Sequence, residues 1–384
     1  MPFYQTRGEI PAKRHIAFKN PKGGIFFEEL VGNEGFTGAS SLLYHLQRPT
    51  RVTAIEHHKD LPWKAVSSTD LRPHHFRLGN LPPGGDAALD RTPFLYNHEV
   101  ALSVVHPTKT TATFYRNSQA DEIVYVAKGK GTLRSPYGKL AFSSGYYLVI
   151  PRGVIHSYEF ASSDTFLFVV ESTGVVRIPK RYRNSNGQLL EGAPYSERDI
   201  HTPVACDPVE EMGAFPVHTK MRNAITVHTL EAHPYDVVGW DGSYYPWAFD
   251  IRDFEPIVGR IHQPPPVHQT FAGDGFVVCS FVPRLYDFHP EAIPAPYHHT
   301  NAQSEELLFY ASDEFMSRKG IEFGSATYHP DGMAHGPHPG KAEESIGKKS
   351  TDELAVMVDT FRPLKVCEAA MGVDDPAYPQ SWLE

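Results

Sequence analysis

Hydrophobic residues along the chain fall in short runs, and segments with the 3.6-residue period of a helix are scarce. The runs are rich in β-branched and aromatic residues and lie between turns containing Gly, Pro, Asn or Asp; examples are Ile123–Ala127, Tyr146–Ile150, Thr165–Val170, Phe276–Phe281, Leu307–Tyr310 and Leu354–Val358. Short strands with such turns predict an all-β protein with minor helix, built as a sandwich or barrel. Residues 1–110 show less pattern, and we expect an irregular N-terminal arm there.

One motif occurs twice in the chain. Residues Gly145–His156 have the form G-x5-P-x-G-x-x-H, and Gly324–His335 repeat it 179 residues later. A repeated strand-turn-strand unit predicts two related barrels. We therefore expect an N-terminal β domain of residues 1–260, with its barrel at about 110–175, and a C-terminal domain of residues 261–384.

Composition and charge exclude several classes of protein. With 384 residues, 41% of them hydrophobic and 21% charged, the chain has ample material for a folded core. A net charge of −9 and no Lys/Arg tract argue against nucleic-acid binding. The three cysteines form no CxxC pair, which argues against a thiolate zinc site and favours a reducing compartment. No apolar run approaches a membrane span and no signal peptide begins the chain, so we expect a cytoplasmic protein without membrane contact.

The 21 histidines direct attention to possible metal ligands. If the segment from His299 to Glu305 is one strand, period two places the side chains of His299, Asn301, Gln303 and Glu305 on one face. His298 and Glu306 then face the other way. His335 of the second repeat can add another imidazole. Two histidines and one carboxylate form the facial triad of non-heme Fe(II) oxygenases, which leaves positions open for substrate and O2.

These residues also carry a resemblance to a known family. The G-x5-P-x-G-x-x-H pattern is similar to the second cupin motif, and His299-x-Asn301-x3-Glu305 resembles the first, with Asn in place of its second His. The pattern with Asn at this position resembles that of the homogentisate 1,2-dioxygenases, and the chain is similar to their compact bacterial form. The other matching segments are Pro296-Tyr297, His335-Gly336-Pro337, Arg260–Pro265, Glu28–Gly32 and Ser41–Tyr44. The resemblance implies a bicupin, that is, two jelly-roll-type barrels.

The resemblance also implies roles for individual residues. His299, Glu305 and His335 would hold Fe(II), and His262 would be the catalytic acid and base. Tyr297, His329 and His335 would line or support the substrate site. No residue that pairs with the substrate carboxylate carries over, because Asp313–Lys319 departs from the family pattern; Arg318 and Lys319 are the candidates.

The expected activity is the ring opening of homogentisate by O2 to maleylacetoacetate, a step in tyrosine and phenylalanine catabolism. One alternative keeps the site but changes the substrate to gentisate, hydroquinone or another dihydroxyaromatic. A third is a non-catalytic bicupin that binds or senses a small ligand. The resemblance implies a homo-oligomer, a trimer or hexamer.

The first repeat lacks part of the ligand set. Ahead of His156 the chain reads Tyr115-Arg-Asn117-x3-Asp121-Glu122, so a tyrosine stands where the second repeat has His299. Only His156 and one carboxylate remain, and structural and catalytic metal sites typically use three or four protein ligands. We therefore expect the first barrel to be a degenerate, structural copy.

Overall fold

The computed structural model describes residues 2–61, 63–67, 70–109 and 112–383. Two short helices, α1 (Lys341–Ser345) and α2 (Glu368–Met371), lie in the C-terminal part. The strands are β1 Gln5–Gly8, β2 Phe27–Gly32, β3 Ser40–His45, β4 Val52–Asp60, β5 His74–Phe76, β6 Thr92–Tyr96, β7 Val100–Val105, β8 Phe114–Asn117, β9 Asp121–Lys128, β10 Lys130–Ser135, β11 Gly138–Ser143, β12 Tyr146–Ile150, β13 Ser157–Phe160, β14 Phe166–Ser172, β15 Ile200–His201, β16 Met212–Met221, β17 Ala224–Ala232, β18 Val237–Gly242, β19 Trp247–Asp250, β20 Gln269–Gly273, β21 Phe276–Phe281, β22 Arg284–Leu285, β23 His299–Thr300, β24 Glu305–Tyr310, β25 Ala326–His329, β26 Ala334–His335, β27 Ser350–Thr351, β28 Ala355–Thr360 and β29 Lys365–Val366.

The first barrel is built around an eight-stranded sheet of order β15-β19-β12-β9-β14-β7-β6-β29. The sheet β11-β10-β13 shares its hydrophobic core with that sheet. The sheet β4-β17-β16-β8 is separate, and Tyr115 of β8 and Ile225 of β17 belong to a smaller hydrophobic cluster. Strands β9 and β14 are buried on both faces, which explains their continuous apolar sequence. The remaining sheet, β1-β18-β3-β2, is formed largely by the N-terminal segment.

The second barrel is a six-stranded sheet of order β20-β21-β28-β24-β25-β5, together with the pairs β22-β27 and β23-β26. Its edge strand β5 comes from the N-terminal part of the chain and pairs with β25. In the opposite direction, β29 near the C-terminus pairs with β6 of the first barrel. Each predicted domain thus contributes a strand to the sheet of the other.

A shared hydrophobic core joins the two large sheets. Phe168 of β14 stacks on Phe309 of β24, with ring centroids 4.8 Å apart and planes 6° apart. Leu307 belongs to the same core, whereas Leu308 and Tyr310 face a smaller cluster within the second barrel. Alternate residues of β24 therefore face the first barrel and the interior of the second, and this alternation positions the candidate site.

The all-β, two-barrel prediction is confirmed, but the prediction of an irregular N-terminal arm is wrong: the described residues before 110 contain seven strands, β1–β7. The repeat is also reproduced in the backbone. Gly145 and Gly324 have φ of 95° and 77°, and Gly153 and Gly332 have φ of 80° and 78°. These left-handed conformations explain why glycine stands at both positions of both motifs.

Candidate metal centre

Three side chains from neighbouring strands converge inside the second barrel. Strands β23 and β26 are antiparallel with His299 opposite His335, so their imidazole centroids are 4.3 Å apart. Glu306, the second residue of β24, faces both rings. Its carboxylate lies 3.5 Å from Nε2 of His299 and 3.5 Å from Nε2 of His335. One ligand atom from each residue lies within 4.8 Å of the others, the sole such group of three found in the described residues.

The structure corrects the predicted position of the carboxylate. Glu305 lies on the opposite face of β24 from the histidines, where its carboxylate accepts a hydrogen bond from the backbone N–H of Leu364 at 2.6 Å. The prediction assumed one continuous strand from His299. The segment between β23 and β24 is instead irregular, and Gln303 has a φ of 62°, so the period of two is lost. Glu306 takes the place predicted for Glu305.

The surroundings of Glu305 and Glu306 shift the pKa values of the two carboxylates in opposite directions. Burial alone would raise the pKa of Glu306, but its contacts with His299, His329 and His335 hold it well below the usual range. Burial raises the pKa of Glu305. The contact with Glu306, opposed by burial, raises the pKa of His299. Glu306 is therefore the carboxylate that stays ionised, as a metal ligand must.

The donor set fits a divalent metal such as Fe(II). Each of the two ring Nδ1 atoms lies near a backbone oxygen, Met333 O at 3.0 Å from His335 and Tyr297 O at 3.3 Å from His299. Such contacts orient the ring and leave Nε2 for a metal. Nε2 of His335 is buried and has no hydrogen-bond partner. An unpartnered imidazole nitrogen beside an ionised carboxylate and a second imidazole matches the 2-His-1-carboxylate donor set.

His329 lies behind this group. Its Nδ1 is 3.1 Å from a carboxylate oxygen of Glu306, its Nε2 is 3.2 Å from the hydroxyl of Tyr378, and its ring stacks on His335 at 4.4 Å. Burial, opposed by the contact with Glu306, lowers its pKa to about 3. Its contacts are thus with candidate ligands, and it is absent from the described cavity lining. This geometry favours support of the ligands over the predicted substrate contact.

A cavity of about 360 Å³ is lined by His299 and Glu306, whereas His335 lies behind its wall and is absent from the lining. This size suits a single-ring aromatic ligand. His262 and Tyr297 both line it, with ring centroids 5.1 Å apart. Nδ1 of His262 lies 4.0 Å from the carboxylate of Asp287, a residue that the sequence did not single out. The sequence also missed Asp359, which lines the same cavity and lies directly opposite Glu306 on β28.

Arg318 and Lys319, the two candidates for pairing with the substrate carboxylate, differ in burial. Arg318 is 5% exposed and lines the cavity, whereas Lys319 is exposed at the surface. No periodicity distinguishes adjacent residues in a loop, so the sequence alone left both open.

The first barrel shows the same arrangement with different side chains. Tyr115 pairs with His156 as His299 pairs with His335, and Glu122 follows Tyr115 by the same seven residues that separate His299 from Glu306. The hydroxyl of Tyr115 and the Nη2 atom of Arg91 both hydrogen bond to the Glu122 carboxylate at 2.9 Å. The guanidinium of Arg91 also lies over the ring of Tyr115. A fixed cation therefore neutralises the carboxylate that stands at the ligand position.

Comparison with known proteins identifies the family of the chain. A family model described as the N-terminal part of homogentisate 1,2-dioxygenase matches residues 53–251, more than half of the chain. The chain belongs to the homogentisate 1,2-dioxygenase family. A protein of Saccharolobus solfataricus, whose name assigns it as a candidate dioxygenase without a substrate, is 42% identical over 100% of this chain and 99% of its own. These matches therefore support the family and its dioxygenase chemistry, but the name of the Saccharolobus solfataricus relative specifies no substrate.

Named homogentisate 1,2-dioxygenases are more distant members of the family. The enzyme of Rhodopseudomonas palustris strain BisA53 is 26% identical over 69% of this chain and 63% of its own, and that of Oryza sativa is 25% identical over 84% and 71%. Among solved structures, a cupin 2 conserved barrel domain protein from Leptotrichia buccalis is 12% identical over 78% of this chain and 100% of its own, with a TM-score of 0.37. No helix within the described residues is long and apolar enough to cross a membrane.

Proposed function

We propose that the protein is an Fe(II)-dependent dioxygenase that opens the ring of homogentisate to give maleylacetoacetate. The observation that carries the proposal is the group His299, Glu306 and His335, of which His299 and Glu306 line a cavity large enough for one aromatic ring. Membership of the family supports the reaction class. The reaction breaks one ring carbon–carbon bond and retains both oxygen atoms of O2 in the product, so it needs no external reductant.

His299, Glu306 and His335 would hold the iron. Bound Fe(II) would supply a Lewis acid that favours the phenolate form of the substrate, and a redox centre that brings O2 and substrate together. Three protein ligands leave the remaining coordination positions for these two reactants. His329 would keep Glu306 and the ring of His335 in place through its contacts with both.

His262 is the residue best placed to move the phenolic proton. It lines the cavity and is partly exposed, so it can exchange a proton with solvent. The carboxylate of Asp287 lies 4.0 Å from its Nδ1. Tyr297, against the His262 ring, would help to place the substrate ring.

The test is oxygen uptake by the Fe(II)-loaded protein with homogentisate, gentisate and hydroquinone compared side by side. Homogentisate is expected to give the highest kcat/KM and one O2 consumed per molecule of substrate. Turnover of gentisate or hydroquinone without turnover of homogentisate would overturn the substrate, and binding without any oxygen uptake would overturn the enzyme.

A further inference from the structure

Arg318 is a buried cation at the wall of the cavity. It is 5% exposed and lies in the loop between β24 and β25, on the C-terminal side of Glu306. Nη1 donates a hydrogen bond to the carbonyl of Gly336 at 2.6 Å, whereas Nε is buried without a partner. A guanidinium has five donor hydrogens, so this one retains donor capacity that the described residues do not use.

No carboxylate in the described part of the chain forms an ion pair with Arg318. The ionised Glu306 is in contact with three histidines, and Asp287 and Asp359 line the cavity without reaching the guanidinium within ion-pair distance. Removing a charge from water without a partner is costly. The Arg318 guanidinium contacts the Gly336 carbonyl, the Ser317 hydroxyl and the ring of Trp382, none of which is an anion, so its charge can still take an anionic partner.

A second arginine of the same cavity provides an internal comparison. Arg284 also lines the cavity, but Nη1 lies 2.7 Å from the carboxylate of Glu353, which is 1% exposed. Arg91 of the first barrel is likewise paired, with Glu122 at 2.9 Å. Among these three, Arg318 alone is paired with no described carboxylate, and it faces the space where a substrate would enter.

We propose that Arg318 binds a carboxylate on the substrate and so makes the cavity selective for dihydroxyaromatic acids over neutral dihydroxyaromatics. This inference rests on the proposed function, since it names the group that recognises the acid side chain of the ring. A guanidinium can give two parallel N–H bonds to a carboxylate, which fixes the orientation of the ring as well as its affinity. Such a contact would hold the ring in one orientation beside His299 and Glu306.

The test measures binding rather than turnover. Dissociation constants are determined anaerobically on the Fe(II)-loaded protein for homogentisate and for methylhydroquinone, which has a methyl group where homogentisate has its acetate. The unsubstituted protein is expected to bind homogentisate at least about 10-fold more tightly. In Arg318→Gln the homogentisate dissociation constant is expected to rise about 10- to 100-fold, with a change below about 3-fold for methylhydroquinone.

Lys319→Gln is the matched control, because it removes the same charge from the adjacent, exposed residue; both constants should stay unchanged. Arg318→Lys, which keeps the charge but loses the paired donors, should fall between. Arg318 could instead only brace Gly336, and equal weakening of both ligands in Arg318→Gln would overturn the proposal in favour of that role. If Arg318→Gln does not fold or load iron, the unsubstituted protein decides, since equal affinity for the two ligands would also overturn it.

The outcomes also separate this inference from the proposed function. If the unsubstituted protein binds no dihydroxyaromatic compound, the proposed function fails with it. If the unsubstituted protein binds gentisate more tightly than homogentisate, the homogentisate assignment falls. If it also binds gentisate more tightly than hydroquinone and Arg318→Gln abolishes this difference, the role of Arg318 stands.

Discussion

The adjacent residues Glu305 and Glu306 allow the metal centre to be tested with a matched pair of substitutions. Both are buried glutamates on β24, yet they face opposite sides of the strand, as their contacts show. Glu306→Gln removes the only ionised ligand from the candidate triad. Glu305→Gln makes the same chemical change one residue away and keeps an oxygen that can accept the bond from the Leu364 N–H.

The expected magnitudes follow from these contacts. Loss of a residue that only supports a ligand typically costs 10- to 100-fold in metal affinity. Glu306 itself lies 3.5 Å from two ligand nitrogens, so its substitution should cost at least about 100-fold, or about 2.8 kcal/mol. Glu305→Gln should change metal affinity by less than about 3-fold and stability by no more than about 1.5 kcal/mol.

The assay is an anaerobic competition for Fe(II) between each variant and a chromophoric chelator. Circular dichroism of the metal-free proteins checks that both variants fold. If Glu305→Gln lost the metal while Glu306→Gln retained it, the assignment of Glu306 to the face of β24 that contains the histidines would be wrong, and so would its assignment as the third ligand.

Three further predictions follow from other contacts. Arg91→Met leaves Glu122 buried without its cation and should cost about 3–5 kcal/mol in denaturant unfolding, whereas Arg91→Met combined with Glu122→Gln should recover part of that loss; equal losses would refute the pairing. Burial would lower the pKa of His45, but contact with Asp236 raises it to about 9. This histidine therefore contributes about 3 kcal/mol to the free energy of unfolding. The contribution is complete below about pH 6.5 and is lost as the pH rises through 9. Unfolding free energies measured from pH 6 to 10 should show that fall, and His45→Gln should abolish it. His262→Gln should lower kcat about 10²- to 10⁴-fold with unchanged Fe(II) affinity; an unaltered kcat would exclude proton transfer by this residue.

The repeat and the strand pattern predicted the two barrels, because these depend on local strand and turn geometry. The turns at Gly153 and Gly332 require positive φ, and that requirement is visible in sequence. The carboxylate position depended on the path between β23 and β24. The break at Gln303 leaves no mark in hydrophobic periodicity, since both faces of β24 are buried and the alternation of apolar residues is invisible there.

The remaining site residues depend on tertiary contacts between distant segments. Asp287 meets His262, and Tyr378 near the C-terminus meets His329, with no periodic relation between the partners. Arg318 and Lys319 are adjacent in a loop, where burial is decided by tertiary contacts such as the hydrogen bond from Arg318 to the carbonyl of Gly336. The sequence could therefore name the chemistry of these residues but not their partners.

The exchange of β5 and β29 between the two barrels has a consequence for how the chain can be divided. A fragment starting at residue 261 would lack β5, so β25 would become an open edge strand with unpaired backbone groups, and such edges promote aggregation. The complementary fragment would lose β29 from beside β6. Separately produced halves are therefore expected to be insoluble alone and to recover solubility when produced together, and the intact chain is expected to unfold in a single cooperative transition.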